Sequence, residues 1–228
     1  MKTAARWMVV VPVAMLALGG CGKGGGGDEA SEVAAGDAPA VVVPGDADPV
    51  ASGVDVASLP SGDRARMAAG EFSERLRSRL QAAMQREGLG RAVEVCHSDA
   101  PAIADEVMQR FDVRLGRVST HGRNRNPGNA PGGWQSGVLA DFQRDIDGGG
   151  DVDEQRFVQT ADLPDGVALR VMYGIRTQQI CETCHGVEPL PEAAQVIARL
   201  YPADRATGYR DGDLRGGLWV EVPSRPGQ

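Results

Sequence analysis

The spacing of hydrophobic side chains predicts a helical first half for the folded part of the chain. Phe72, Leu76, Leu80 and Met84 recur every four residues between charged side chains, which indicates an amphipathic helix over residues 63 to about 86. Shorter helices are predicted over residues 91–96, from a cap at Ser98 or Asp99 to about residue 111, and over residues 134–146.

The second half carries the alternation that is typical of strands. Period two is clearest over residues 167–175, and this strand ends a few residues before Cys181, so we expect an edge of the sheet to lead to that cysteine. Other extended segments are predicted at 113–119, 156–160 and 218–222, with a short helix at 192–201. Helices followed by a hairpin and a late strand indicate an α+β domain with N-terminal helices and an antiparallel sheet.

Residues 1–20 have the pattern of an export signal. A positively charged start precedes an apolar run over residues 7–18 that is too short to span a bilayer. The end of this run, Leu18-Gly19-Gly20-Cys21, resembles the lipobox of bacterial lipoproteins, which implies cleavage before Cys21 and lipidation of that cysteine. The alternative is an ordinary signal peptide with an incidental cysteine. With Gly22 after the cysteine, the resemblance implies a periplasm-facing lipoprotein of the cell envelope, anchored in the outer membrane.

Residues 21–60 lack helical and strand periodicity and predict a flexible, acidic tether. Seven Asp and Glu side chains in this segment face only Lys23. Because the formal net charge is -7 and the acidic residues are concentrated here, a nucleic-acid partner is not expected. Residues 61–228 then form one domain with its own core. Its oligomeric state is not predicted.

The candidate chemistry is concentrated in Cys181-Glu182-Thr183-Cys184-His185. Two thiols at this spacing, with a histidine directly after the second, are the pattern of a covalently attached c-type haem. The thiols bond to the porphyrin vinyl groups, and the imidazole ligates the iron. A redox-active Cys-x-x-Cys pair gives no reason for the histidine, and a zinc site would need a second ligand pair. The predicted cofactor is therefore haem c, held by Cys181 and Cys184, with His185 as proximal iron ligand.

The residues alone leave the second axial ligand of the iron open. With the other three cysteines assigned to lipid and haem, Cys96 is a leftover thiol in an exported chain. It adjoins His97, and composition does not choose between the two. Further candidates are His121, Met67, Met84, Met108 and Met172. Methionines on helix faces are usually core residues.

Several motifs in a fixed order resemble the Tll0287-like family of bacterial haem domains. They are Cys96-His97-Ser98-Asp99-Ala100-Pro101 and the segments 116–119, 123–129, 181–186, 201–204, 206–209 and 212–216. The resemblance covers about residues 65–223 and implies a PAS-like α+β fold that holds one c-type haem. It also implies a cysteine as the distal iron ligand, which favours Cys96 over His97. Residues 131–135 depart from the family pattern because two carboxylates are missing.

The ligands predict a function. A thiolate opposite an imidazole favours ferric iron and is easily lost, which indicates a redox- or gas-responsive haem sensor whose partner is a small diatomic gas. The alternative is a tethered electron-transfer cytochrome that passes electrons between redox partner proteins of the envelope. An enzyme would need an open iron site and a distal acid–base pair, so no catalysis is expected. Arg123 and Arg125 are predicted to contact haem propionates or local carboxylates, the alternative being a solvated loop.

Overall fold

The structure is a computed structural model, and it describes residues 55–225. The predicted signal peptide, the lipidation site Cys21 and the tether up to residue 54 lie outside the described residues, so these stay predictions. Within the described range, none of the helices is long and apolar enough to cross a bilayer.

A four-stranded antiparallel sheet forms the centre of the described part. Its strands are β1 (Arg114–Ser119), β2 (Arg156–Gln159), β3 (Val167–Arg176) and β4 (Leu214–Pro223). The spatial order is β1-β4-β3-β2, so the last strand inserts between the first and third. β3 and β4 pair along most of their length, with Tyr173 opposite Leu218.

Helices cover both faces of this sheet. They are α1 (Ser61–Arg86), α2 (Leu89–Glu94), α3 (Ala100–Phe111), α4 (Gly133–Asp147), α5 (Glu182–His185) and α6 (Pro191–Leu200). α1 and α3 bury Phe72, Val107 and Phe111 in one core with Val171 and Val220 of the sheet. α4 packs on the opposite face, and α6 packs against α2. The predicted α+β class, with N-terminal helices and an antiparallel sheet, is confirmed.

The alternation of side chains along β3 determines which face of the sheet Met172 lies on. Because neighbouring strand residues point to opposite faces, Met172 faces away from the α1 and α3 core. It is fully buried in the other core, with Leu139 and Phe142 of α4. Met172 is therefore a core residue.

The predicted side-chain cap for the third helix is wrong. Helical backbone continues from α2 into α3 through a π-helical segment, Val95–Asp99, and Asp99 makes no cap hydrogen bond. The reason is that both candidate caps have other partners. The Ser98 hydroxyl donates to the Glu94 carbonyl oxygen at 2.9 Å, and the Asp99 carboxylate binds Arg79 and Arg91 at 2.8 and 3.3 Å.

The predicted position of the strand before Cys181 is also wrong. β3 lies inside the sheet, with β4 on one side and β2 on the other. β4 comes late in the chain, and the local alternation of β3 carries no information about which strands flank it. The chain leaves the end of β3 through a short 3₁₀ turn, Gln179–Cys181, and enters α5 directly.

Gly216 permits the close approach of β4 to β1. An alanine Cβ at this position would overlap the backbone oxygen of Val118. We expect Gly216→Ala to lower the free energy of unfolding by about 3 kcal/mol, because the two strands must separate. Urea unfolding followed by circular dichroism measures this change.

Gly137→Ala is the matched control for Gly216→Ala. Gly137 lies in α4, and no atom stands within 4 Å of an added Cβ. The substitution should raise the free energy of unfolding by roughly 0.5–1 kcal/mol through helix propensity. Similar effects of the two substitutions would contradict the close strand approach.

Candidate functional site

A cavity of about 360 Å³ lies between the helices α1 to α3, the strand β1 and the segment that enters α5. The predicted apolar face of α1 forms much of its wall through Phe72, Leu76, Leu80 and Met84. Its cysteine, histidine and arginine side chains are Cys96, Cys181, Cys184, His185, Arg117, Arg125 and Arg215. The wall thus combines a broad apolar surface with thiols, one imidazole and cationic groups.

Cys181 and Cys184 both line this cavity. Cys181 ends the 3₁₀ turn, and Cys184 follows three residues later in α5, so one helical turn places the thiols on one side of the chain. Both are free and half-buried, and burial raises the pKa of the Cys184 thiol. Two neighbouring thiols therefore face the apolar cavity, as covalent attachment to a porphyrin requires.

His185 lines the cavity as a neutral imidazole, and Nε2 is its unprotonated nitrogen. The ring is 8% exposed, and its Nδ1 lies 2.7 Å from the carbonyl oxygen of Ala206. A carbonyl only accepts, so Nδ1 carries the proton and Nε2 has the lone pair. The Nε2 atom accepts from Nη2 of Arg215 at 2.8 Å. Burial, and then the charge of Arg215, lowers the pKa of His185 well below its usual 6.5. A neutral ring with an oriented Nε2 is the form that ligates iron.

The π-helical segment separates the two candidates for the distal ligand. Cys96 is half-buried and lines the cavity. His97 is exposed and is absent from the cavity wall, and its ring packs edge-on against Tyr201 at a centroid distance of 5.2 Å. π-Helical turns are rare and concentrate at functional sites. The fold therefore brings Cys96, but not His97, to the same cavity as Cys181, Cys184 and His185.

The buried side chain of Arg125 stabilises the position of the segment 181–185, the predicted haem-attachment segment. It lines the cavity, is 8% exposed, and donates from Nη2 to the carbonyl oxygen of Cys184 at 2.6 Å. The same Nη2 lies 3.1 Å from the carboxylate of Asp204. Arg125 thus contacts a local carboxylate while it holds the end of α5.

Arg123 lies outside the cavity wall. It donates from Nη2 to the carbonyl oxygen of Thr207 at 2.7 Å, and its guanidinium stacks 3.6 Å from the ring centroid of Tyr209. The loop of Arg123 therefore supports the segment that presents the Ala206 carbonyl to His185. His121 is exposed and does not line the cavity.

Two arginines that line the cavity, Arg117 of β1 and Arg215 of β4, were not predicted as site residues. The Nε of Arg215 is buried and has no hydrogen-bond partner among the described residues. Burial, and then the charge of Arg117, lowers the pKa of the Arg215 guanidinium. Both belong to motifs of the family resemblance, but a strand motif does not tell which long side chain reaches a distant histidine. The only local signal is a charged residue beside Gly216 and Gly217 at the start of a buried strand.

The groups in the cavity wall match the parts of a haem. Apolar side chains suit the porphyrin plane, thiols suit its vinyl groups, an imidazole nitrogen and a thiol suit the iron, and guanidinium groups suit the two carboxylates. Among the residues that the structure describes, no group of three or more His, Cys, Asp and Glu side chains could hold a bare metal ion. The donor set of the cavity wall therefore fits a haem.

The fold and the cavity define the class of this protein: an α+β domain with a Cys-, His- and Arg-lined apolar cavity. A family model described as Tll0287-like matches residues 61–223, and the chain belongs to this family. The predicted family resemblance is confirmed. The chain is also similar to the crystal structure of the cyanobacterial haem protein Tll0287, with 28% sequence identity and a TM-score of 0.45. That match covers 56% of this chain and 71% of the other. No curated protein sequence matches the chain.

Proposed function

We propose that the chain is a c-type haem protein of the cell envelope that acts as a redox- or gas-responsive sensor. Cys181 and Cys184 would attach one haem c, and His185 and Cys96 would ligate its iron. The observation that supports this best is that all four side chains line one cavity, although Cys96 is distant from the others in sequence. Membership of the Tll0287-like family adds support, since that family is named for a haem protein.

Residues of the chain itself hold His185, the proposed proximal ligand, in position. When bound, the haem supplies one-electron chemistry and a binding position for diatomic gases. The Ala206 carbonyl holds the Nδ1 proton of His185 and so makes its Nε2 a better donor. Arg125 keeps the end of α5 in place through the Cys184 carbonyl. His185 is therefore the permanent ligand in this proposal.

Cys96 is the ligand that responds in this proposal. A thiolate is lost more easily than a rigidly held imidazole, on protonation or on reduction of the iron. It is carried by the π-helical segment, which is an irregular turn held through the ion pairs of Asp99 with Arg79 and Arg91. Both pairs are part-buried and fix the end of this segment at Asp99. Loss of Cys96 would free the distal position for a gas.

The cellular location that we propose for the domain is inferred from the amino-acid sequence. Residues 1–20 and Cys21 match a lipoprotein signal, and residues 21–60 match an acidic tether. We propose a periplasm-facing lipoprotein of the outer membrane whose PAS-like domain stands clear of the bilayer. This domain is expected to have no catalytic activity.

Electron transfer is the second candidate function, and one surface favours it. Ile180, Val187 and Leu190 are large hydrophobic side chains that are 50%, 66% and 49% exposed. All three flank the attachment segment 181–185. A redox partner protein that docks on apolar surface would contact the domain beside its haem.

Carbon monoxide separates the two functions. We expect the ferrous protein to bind carbon monoxide at neutral pH, because Cys96 would be the ligand that is lost when the iron is reduced. Absorption spectra of a carbon monoxide titration measure this. Cys96→Met is the matched variant, since a thioether stays on ferrous iron, and binding should be at least about tenfold slower. A ferrous wild-type protein that shows no change at saturating gas would favour electron transfer.

A further inference from the structure

Two arginines in the cavity wall lack a protein carboxylate. Arg117 and Arg215 make no ion pair with Asp or Glu among the described residues, whereas Arg125 has Asp204. Asp105 also lines the cavity, but it is exposed and pairs with neither arginine. Two guanidinium cations in one apolar cavity are costly to bury without a counter-charge, and no Asp or Glu among the described residues supplies one. An anion that binds between them would compensate their charge.

The hydrogen-bond acceptor that Arg215 has in the cavity is a nitrogen of His185, and Arg215 would lose it if that nitrogen ligated iron. Its Nη2 donates to Nε2 of His185 at 2.8 Å, and its buried Nε has no acceptor among the described residues. The Nε2 atom of a neutral imidazole has one lone pair, so a metal ion and a guanidinium cannot share it. When iron occupies this atom, Arg215 loses its acceptor and needs another one within reach.

Arg117 lies close enough to act with Arg215. β1 and β4 are neighbouring antiparallel strands, and the amide of Thr120, just after β1, donates to the Arg215 carbonyl oxygen at 3.2 Å. The Arg117 guanidinium also lies 5.8 Å from the ring centroid of Phe72, which belongs to the cavity wall. A carboxylate between two guanidinium groups would remove their repulsion and satisfy several N–H donors at once.

We propose that Arg117 and Arg215 form the binding site for the haem carboxylates, and that Arg215 exchanges His185 Nε2 for a carboxylate oxygen when iron binds. This inference rests on the proposed haem function. It assigns the propionates to strand arginines instead of the loop arginines that the sequence predicts. Arg123 already binds the Thr207 carbonyl and the Tyr209 ring, and Arg125 already has Asp204.

The test compares Arg215→Gln and Arg117→Gln in the haem-loaded full chain. Removal of a guanidinium leaves carboxylate charge uncompensated near the iron and favours the ferric state. We expect the ferric-to-ferrous ratio at a fixed potential to rise about tenfold in Arg215→Gln, which is a midpoint potential about 59 mV lower for one electron. Arg215→Lys keeps the charge and should shift it less. Arg199→Gln is the control, because this exposed arginine of α6 pairs with Glu94 and should leave the midpoint unchanged.

The outcomes separate this inference from the proposed function. A wild-type chain that carries no haem overturns both. A haem-loaded wild type whose midpoint potential is the same in both glutamine variants overturns only the carboxylate site. If Arg215→Gln does not accumulate, a crystal structure of the wild-type haem-loaded protein decides. We expect a propionate oxygen within hydrogen-bond distance of Arg215 or Arg117, and propionates beyond the reach of both would refute the assignment.

Discussion

Replacing both Cys181 and Cys184 with alanine is expected to abolish covalent attachment of the haem. Both thiols line the cavity and neither is in a disulfide, so each is available to form a thioether. Acidified acetone should extract nearly all haem from the double variant and almost none from the wild type. The haem absorbance of the precipitated protein and the mass of the intact chain measure the difference.

The single variants sharpen this result. Cys181→Ala or Cys184→Ala should keep the haem through the remaining thioether, with a lower yield of loaded protein. Cys96→Ser is the matched control, because Cys96 is also half-buried in the cavity wall but is assigned to the iron and not to the porphyrin. Its haem should resist extraction. Haem that stays covalently bound in the double variant would show that the attachment site is elsewhere.

Cys96→Ser is expected to raise the midpoint potential of the haem by on the order of 100 mV or more, since axial ligands set this quantity over a wide range. The thiolate adds negative charge to the iron and stabilises its ferric state, and the serine hydroxyl does not. A spectroelectrochemical titration of the purified wild type and variant measures the shift.

His97→Phe is the control for the distal ligand. His97 is exposed, and phenylalanine preserves an edge-on contact with Tyr201. The midpoint potential should change little. If His97→Phe raised the potential and Cys96→Ser left it unaltered, the histidine would be the ligand, and the helix would have to turn by about one residue to bring it in.

Local patterns predicted the parts of the site that depend on neighbouring residues. The four-residue spacing in α1 predicted a helix, and the same face forms the apolar wall of the cavity. The spacing of Cys181, Cys184 and His185 was enough to predict a haem-attachment motif, because one helical turn sets the relative positions of the three side chains. The strand β3 followed from its period of two.

Long-range contacts determined what the sequence missed. β4 inserts beside β3 from the far end of the chain, so the alternation in β3 could not show that this strand is central. The cap predicted at Asp99 failed because Arg79 of α1 binds the Asp99 carboxylate across the helix pair. Arg215 meets His185 only because β4 begins near α5, and no spacing in the sequence encodes that meeting.

The loop arginines show the same limit at closer range. Arg123 and Arg125 are two residues apart and look equivalent in the sequence. In the structure Arg125 is buried beside Cys184, while Arg123 lies over the Tyr209 ring. Which of two similar side chains faces a cavity depends on the backbone path of the loop and on distant partners such as Asp204.

The electron paramagnetic resonance spectrum of the ferric wild-type protein tests the central claim most directly, namely that Cys96 and His185 ligate one haem in this cavity. We predict a single low-spin signal with the g-values of imidazole–thiolate ligation, and we predict that Cys96→Ser removes it. A bis-histidine or high-spin signal that is the same in the wild type and in Cys96→Ser would contradict the account.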